Sequence, residues 1–531
     1  MNDKNDSQGR QESPVVWLDG KQAAAQAVLK LAQTDNVAVA LRTLKVGEPL
    51  GEADSPLASI ISADRIMKGH KVALTDISAG SRVIKYSQLI GLASADIKAG
   101  DHVHTHNLAF TNNDAGFTQR DDVSAVVAKP SDTFLGYRRN NGQVGTRNFI
   151  AVLSSVNCSA TVAHRIAAHF TPQNLAGYDN VDGVAAFTHG TGCGMDAASE
   201  GFANLQRVLA GYATHPNVGG VLIVGLGCET SQIAATLEAH QLADGPLLRT
   251  MNIQTTGGHV KTIERGIGMV NEMLLDVSQA SRTPCEASNL SLALQCGGSD
   301  AWSGITANPA LGVAADLLVH QGGSAVLAET PEIYGAEHLL MQRAVSQSVA
   351  DELMGRIDWW QAYVARNNGS LDNNPSPGNK LGGLTTILEK SLGAVAKGGT
   401  TPLTGVFRYA QQVDKQGFVF MDSPGYDPAS VTGQIAAGCN LVAFTTGRGS
   451  TFGSKPAPCL KIATNTDMYK QLSDDMDINA GTVVSDGESI DDVGQRIYQR
   501  LLEVASGSAT LSELHGLGDN EFVPWQIGAT M

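Results

Sequence analysis

A chain of 531 residues is too long for one ordinary core, and 42% hydrophobic with 17% charged residues describes a globular protein of two or three domains. The formal net charge of −15 excludes nucleic acid as the main partner, because phosphates need Lys and Arg; a small anion at a locally positive site stays open. Seven cysteines, an odd and scattered set, do not make a secreted disulfide framework; a polar Met1–Glu12 start and no run of ~18 apolar residues predict neither signal peptide nor membrane span, hence the cytoplasm.

Residues 1–14 are polar, and the Ala-rich spacing over 15–32 (Ala23, Ala24, Ala25, Ala27, Leu29, Leu31) predicts a short helix, so 1–34 reads as an extension. From Asp35 the texture changes to short apolar runs, Val37–Ala40, Val72–Leu74, Val83–Tyr86 and Leu89–Ala93, broken by Gly, Asp and Lys turns. That predicts a small all-β module over 35–108. Residues 109–133 lack periodicity and read as a linker. Beyond Phe134, apolar runs alternate with helical stretches: Phe149–Leu153 before 160–169, Gly183–Phe187 before 197–210, Val221–Val224 before 232–241. Near-continuous apolar strands between helices predict parallel sheets covered on both faces. The polar stretch from Asp372 to Gly383 is the expected break between α/β domains at 134–372 and 373–531. Glycine is abundant (58 residues), and it gathers at Gly190–Gly194, Gly225–Glu229, Cys296–Asp300 and Thr446–Gly449. These loops fall at strand carboxyl ends, where such sheets bind ligands, and predict a shared mouth.

The glycine loops fail the nucleotide tests: Gly225-Leu226-Gly227-Cys228-Glu229-Thr230 lacks the third glycine of the dinucleotide pattern, and Gly447–Lys455 lacks phosphate-loop spacing. His102, His104 and His106 alternate along an expected strand, which sets three imidazoles on one face about 7 Å apart, suited to a divalent metal or to proton transfer. Cys158, Cys193, Cys228 and Cys296 each sit beside or near glycine. They read as core thiols, as ligands for iron or a cluster, or, for one of them, as a nucleophile. Cys285, Cys439 and Cys459 read as structural. Asp300, Glu329, Glu332 and Glu229 could hold a hard metal or hydroxyls; Arg448 could fork a carboxylate; Lys380 could do so as a point charge or act as a base.

The chain resembles the altronate/galactarate dehydratases, hydro-lyases acting on sugar acids. The resemblance rests on Gly69–Leu74, Ile84–Tyr86, Gly100–Asn107, Gly142–Asn148, Gly225–Glu229, Cys296–Asp300, Gly304–Pro309, Asn374–Lys380 and Thr446–Gly449. It implies an α/β protein with a small N-terminal β-clip (SAF-type) domain and a larger catalytic region of two parallel-sheet subdomains. It also implies Fe²⁺, with Mn²⁺ or an iron–sulfur cluster as alternatives, and loss of water from a 2,3-dihydroxy acid to give a 2-keto-3-deoxy acid. His102-Val103-His104-Thr105-His106 and the loop Glu332–Glu337 are similar to the altronate branch, so altronate is preferred. Galactarate or another aldarate, and a sulfolactate-type sulfo-lyase on the same scaffold, are the alternatives. An iron–sulfur redox protein and a sugar-acid binding module are the readings from other classes.

Under the resemblance, His70, Lys71, His102, His104 and His106 are expected to supply metal ligands and proton transfer, with His104, His106, Cys158, Cys193, Cys228 and Cys296 as the ligand set. Lys85, Lys380 and Arg448 are expected on the substrate carboxylate, Asp300 and Asn308 on its hydroxyls. The β module would close over the α/β mouth. The expected partner is the small sugar acid, with a homodimer allowed, and neither nucleic acid nor membrane.

Overall fold

The computed structural model describes residues 27–112 and 123–531. The helix expected over 15–32 lies largely outside them; where it can be checked, Val28–Leu29 is a strand that pairs antiparallel with Val37–Ala40. Two small antiparallel sheets make the module. One orders Val28–Leu29, Val37–Ala40, Lys71–Ala73 and His102–Val103; the other orders Arg82–Lys85, Gln88–Ala93 and Leu108–Ala109. A two-residue hairpin joins Arg82–Lys85 to Gln88–Ala93, with Tyr86 at φ 61° and Ser87 at φ 58°. Neither residue favours the left-handed region, but the Asp35 carboxylate accepts both of their N–H groups (3.1 and 2.8 Å), which fixes the turn and aims Lys85 and Tyr86.

The middle sheet consists of β1 (Phe149–Ser154), β2 (Gly183–Phe187), β3 (Val218–Gly225) and β4 (Leu248–Asn252), in the order β2-β1-β3-β4 and all parallel. Helices α1 (Asn157–Ala167) and α2 (Glu200–Ala213) link its first three strands. β1 is buried at every residue, as its unbroken Phe-Ile-Ala-Val-Leu run requires.

The large sheet has seven parallel strands: β5 (Ser291–Cys296), β6 (Ser324–Leu327), β7 (Leu403–Phe407), β8 (Gly417–Met421), β9 (Leu441–Thr446), β10 (Cys459–Ala463) and β11 (Ile478–Asn479). Their order is β7-β8-β6-β5-β9-β10-β11. Helices α3 (Ala307–His320), α4 (Ile387–Val395), α5 (Asp427–Ala436) and α6 (Ile490–Ala505) flank it. β5 and β6 lie before residue 372 yet share this sheet with β7–β11, so a boundary at 372/373 cuts one domain. The division between the sheets falls instead near Arg282–Glu286, a strand that turns back to pair with Thr133–Arg138. The polar 372–383 stretch carries a short helix, Pro377–Leu381, capped by Ser376 and tied by the Asn379 amide to the Ser299 carbonyl beyond β5, so its polar residues cap and bond rather than link. No helix among the described residues is long and apolar enough to cross a membrane.

Candidate functional site

The module and the large sheet meet along a seam. From the module come His70, Lys71, Lys85 and the 102–106 turn; from the large sheet come the 379–383 turn and α4. His70 Nε2 lies 3.2 Å from the Leu381 carbonyl and His104 Nε2 lies 3.0 Å from the Lys380 carbonyl, so both of these nitrogens carry their protons. His70 Nδ1 is then bare and accepts from His102 Nε2 at 3.0 Å. Ring centroids separate by 5.0 Å for His70 and His104, and by 5.4 Å for His102 and both His104 and His106. The expected alternation stops early. The strand ends at Val103, and Asn107 and Leu108 bond back to the His104 carbonyl; this turn, not a pleat, gathers the imidazoles. Burial, then the neighbouring imidazoles, pushes His102 down to about 3; burial, then Lys71, pushes His104 down to about 4. Both rings are neutral near pH 7.

Beneath them lies a buried ion triad that sequence reading missed. Glu389, on α4, accepts from Lys71 Nζ at 2.8 Å through one oxygen and from Lys85 Nζ at 2.9 Å through the other. All three side chains are at most 1% exposed. Burial wins at Lys71 and brings its ammonium down to about 8. At Lys85 burial is outweighed by Glu389 and the adjoining Tyr86 hydroxyl, and the ammonium is raised. The two cations hold Glu389 well below the carboxylate range. Lys85 is therefore committed to Glu389 and is not placed to take a substrate carboxylate.

The next residue on α4, Lys390, faces a second buried group. Its ammonium binds Glu332 at 2.7 Å. Cys296, at the end of β5, lies 3.3 Å from a Glu332 oxygen and 2.7 Å from Lys397 Nζ. Cys296, Glu329 and Glu332 present ligand atoms within 4.8 Å of one another, a group that could hold a metal ion. Glu329 has a left-handed backbone (φ 71°), is fully buried and leaves one oxygen without a partner. The Lys397 ammonium, 3.6 Å from Glu329, already stands against this group. Burial pushes the Cys296 thiol and Glu329 well up. The signal for Glu389, Lys390 and Lys397 was present in sequence: three charges inside an otherwise apolar helical run, Leu384 to Gly398.

A small cavity between these groups is lined by Tyr86, Asp300, Asn308, Glu389 and Lys390. Asp300 and Asn308 reach it but are already engaged. Asp300 accepts from Ser303, Trp302, Thr464 and Asn465, and Asn308 donates to the Gly393 carbonyl and accepts from Thr445. Both hold loops in place, so neither has the free hydrogen-bonding capacity expected for a sugar hydroxyl. Lys380 and Arg448 are different: among the described residues neither side chain makes a hydrogen bond or ion pair, and Arg448 is exposed, its backbone N–H bound to the Gly298 carbonyl.

The four glycine loops do not form one mouth. Cys296–Asp300 and Thr446–Gly449 follow adjacent strands β5 and β9 and bond to each other. Gly190–Gly194 and Gly225–Glu229 belong to the middle sheet. Cys158, Cys193 and Cys228 accordingly lie exposed on the middle sheet, while Cys296 is buried in the large one. The four cysteines are not gathered as one tight ligand set among the described residues: Cys296 groups with Glu329 and Glu332 instead. Cys285, Cys439 and Cys459 are buried, as expected of structural thiols.

Three family models match in chain order: "Altronate/galactarate dehydratase SAF domain" over 26–111, "D-galactarate dehydratase/Altronate hydrolase, second domain" over 136–278, and "D-galactarate/Altronate dehydratase, C-terminal" over 287–530. An altronate dehydratase of Bacillus subtilis is 36% identical over 95% of this chain and 99% of its own length. An altronate dehydratase of Escherichia coli is 35% identical over 95% and 99%. The L-threo-forming galactarate dehydratase of Escherichia coli is 34% identical over 96% of both.

Proposed function

This chain belongs to the altronate/galactarate dehydratase family and is a sugar-acid hydro-lyase, and from that premise we propose that its substrate is altronate, dehydrated at C2–C3 to a 2-keto-3-deoxy acid. The observation that supports this reading is the group of four module imidazoles set over the 380 turn, where the Lys380 side chain has no ion-pair partner among the described residues. Seven free cysteines suit a reducing cytoplasm.

Ferrous iron is assigned here to the imidazole group, whose rings would have to draw together to hold it, since among the described residues only Cys296, Glu329 and Glu332 gather ligand atoms within 4.8 Å. Two of the rings are held in the neutral, ligating form, whereas the Lys397 and Lys390 ammoniums already face Glu329 and Glu332. His102 and His104 would hold the ion, and once bound it would polarise the oxygens of the substrate carboxylate and 2-hydroxyl. Arg448 and Lys380 would supply the positive charge that retains the carboxylate. His70 Nδ1, which accepts from His102 Nε2, would release that N–H to take the C2 proton, the electrons of that C–H bond forming C2=C3 as the C3–O bond breaks. His106, at the exposed edge, would protonate the departing hydroxyl, which leaves as water; the enol then tautomerises to the ketone. Lys71, Glu389 and Lys85 would act from behind, holding the imidazoles against the large sheet.

The test is anaerobic incubation of the full chain with hexonates and hexarates, with Fe²⁺, Mn²⁺ or chelator, reading 2-keto-3-deoxy acid. Fe²⁺-dependent turnover fastest on altronate is expected, and His104→Ala should cut it by ~100-fold or more. Faster turnover of galactarate would overturn the substrate assignment. Near-normal turnover of His104→Ala would overturn the site.

A further inference from the structure

The middle sheet brings together three thiols that this chemistry does not use. β1 is flanked by β2 and β3, and Leu153 lies opposite both Phe187 and Ile223 on one rung of the sheet. Beyond that rung the three chains run out at the same edge, to Cys158, Cys193 and Cys228 respectively. The chain leaves β1 for β2 on one side and returns to β3 on the other, so this is the switch point at which parallel sheets bind ligands.

The three loops are laced together at the residues next to the cysteines. Asn157 N–H donates to the Thr191 carbonyl (2.9 Å), Ser231 N–H to the Gly192 carbonyl (3.0 Å), and Ser155 Oγ to Glu229 (2.7 Å). Gly192 stands at φ 96° with its α-carbon against the Ser155 carbonyl and Val156, a place where no side chain fits. The Gln254 amide donates to Cys228 Sγ at 3.4 Å, the kind of contact that orients a ligating sulfur. Cys158 sits in the first turn of α1, an eleven-residue helix whose N-cap, Val156, offers no side-chain oxygen to the first-turn N–H groups. That end is left for an anion. All three thiols are exposed.

We propose that Cys158, Cys193 and Cys228 are the three protein ligands of a [4Fe–4S] cluster on the middle sheet, separate from the seam. Each thiol loses its proton on ligation, and the cluster with its three thiolates carries net negative charge facing the α1 N-terminus. A single tetrahedral ion is the weaker fit. With bonds of about 2.3 Å it draws its thiolates to about 3.8 Å apart, and a closed zinc site needs a fourth ligand. Among the described residues the trio is not gathered within 4.8 Å, and the other four cysteines are buried elsewhere. A cluster spans a wider triangle and leaves its fourth iron to an exogenous oxygen ligand. This inference does not depend on the substrate or on the seam.

The test is anaerobic reconstitution of the full chain with ferric iron, a thiol reductant and sulfide, the thiol reducing part of the iron to Fe²⁺, followed by iron and acid-labile sulfide analysis and absorption spectra. About four irons and four sulfides per chain with a band at roughly 400 nm are expected. Cys158→Ser, Cys193→Ser and Cys228→Ser should each reduce sulfide more than tenfold, while Cys285→Ser leaves it unchanged. Melting of the metal-free variants checks that they fold like metal-free wild type. Iron without sulfide, or sulfide retained in all three variants, would overturn the proposal, whatever the outcome with sugar acids.

Discussion

Glu389 is the residue on which the seam turns. One carboxylate answers two buried ammoniums, so removing its charge strands both. Breaking a buried pair from one side costs about 3–5 kcal/mol, because the remaining charge is uncompensated. Glu389→Gln should therefore lower stability by about that much in urea unfolding, and adding Lys71→Met should recover part of the loss; a smaller cost than about 1 kcal/mol would mean that water reaches the triad. A second buried group sets a pH dependence remote from the seam. His215 accepts from Asn217 N–H at Nδ1 and donates from Nε2 to the Cys439 carbonyl, fully buried. Burial pushes it down to about 4, whereas the unfolded chain takes the proton near 6.5. Below pH 6.5 the unfolded state binds the extra proton and the native state does not. Stability is thus intact above 6.5 and falls as pH drops toward 4, by about 3 kcal/mol in total. His215→Gln should flatten that part of the stability–pH curve, measured as the difference from wild type between pH 7 and 4.5.

At the scale of elements, the same substitution has opposite signs at two helical glycines. Gly211, on α2, lies against the backbone of Ala436 on α5, and an added methyl would run into that carbonyl. Gly268, in the helix His259–Val277, has nothing within 4 Å. Ala gains about 0.5–1 kcal/mol over Gly in a helix, while overpacking costs about 1–3 kcal/mol. Gly268→Ala should stabilise and Gly211→Ala should destabilise, both read as shifts in unfolding midpoint. Elements were the most legible level of the sequence. The runs Phe149–Leu153, Val221–Val224 and Leu441–Phe444 are strands because nothing in them suits solvent. What did not follow was partnership: β5 and β6 join β7–β11 across 75 residues of helix and loop, and no local pattern announces this. The site was legible in part for the same reason. The imidazoles and the resemblance pointed at the seam, but Lys85, Asp300 and Asn308 are polar residues whose partners come from distant segments, and only the fold shows them to be already bonded.

For the whole molecule, the question is what makes three regions one body. The module's apolar residues, Val37, Val83, Ile90 and Val103 among them, belong to the same buried cluster as Leu292, Ile305 and Leu327 of the large-sheet region. A second cluster joins Leu153 and Ile223 of the middle sheet to Val419 and Phe444 of the large one. The polar complement is Thr146-Arg147-Asn148, part of a motif read as a family mark, which works as a clasp. Arg147 forks the Glu513 carboxylate at 2.6 and 2.8 Å and donates to the Val504 carbonyl, while Thr146 donates to the Asn440 carbonyl. Arg147 is 3% exposed, so its bonds form out of water, where each charge-assisted one contributes about 1.5–3 kcal/mol. Lysine keeps the charge but cannot make the fork and the carbonyl contacts together. Arg147→Lys should cost at least about 2 kcal/mol and loosen the middle sheet from the large one. The measurement is calorimetric unfolding with hydrogen exchange: an earlier, separate transition with amides of β1 and β3 exchanging first is expected. A single transition at the wild-type temperature would show that the apolar contacts alone hold the two sheets together.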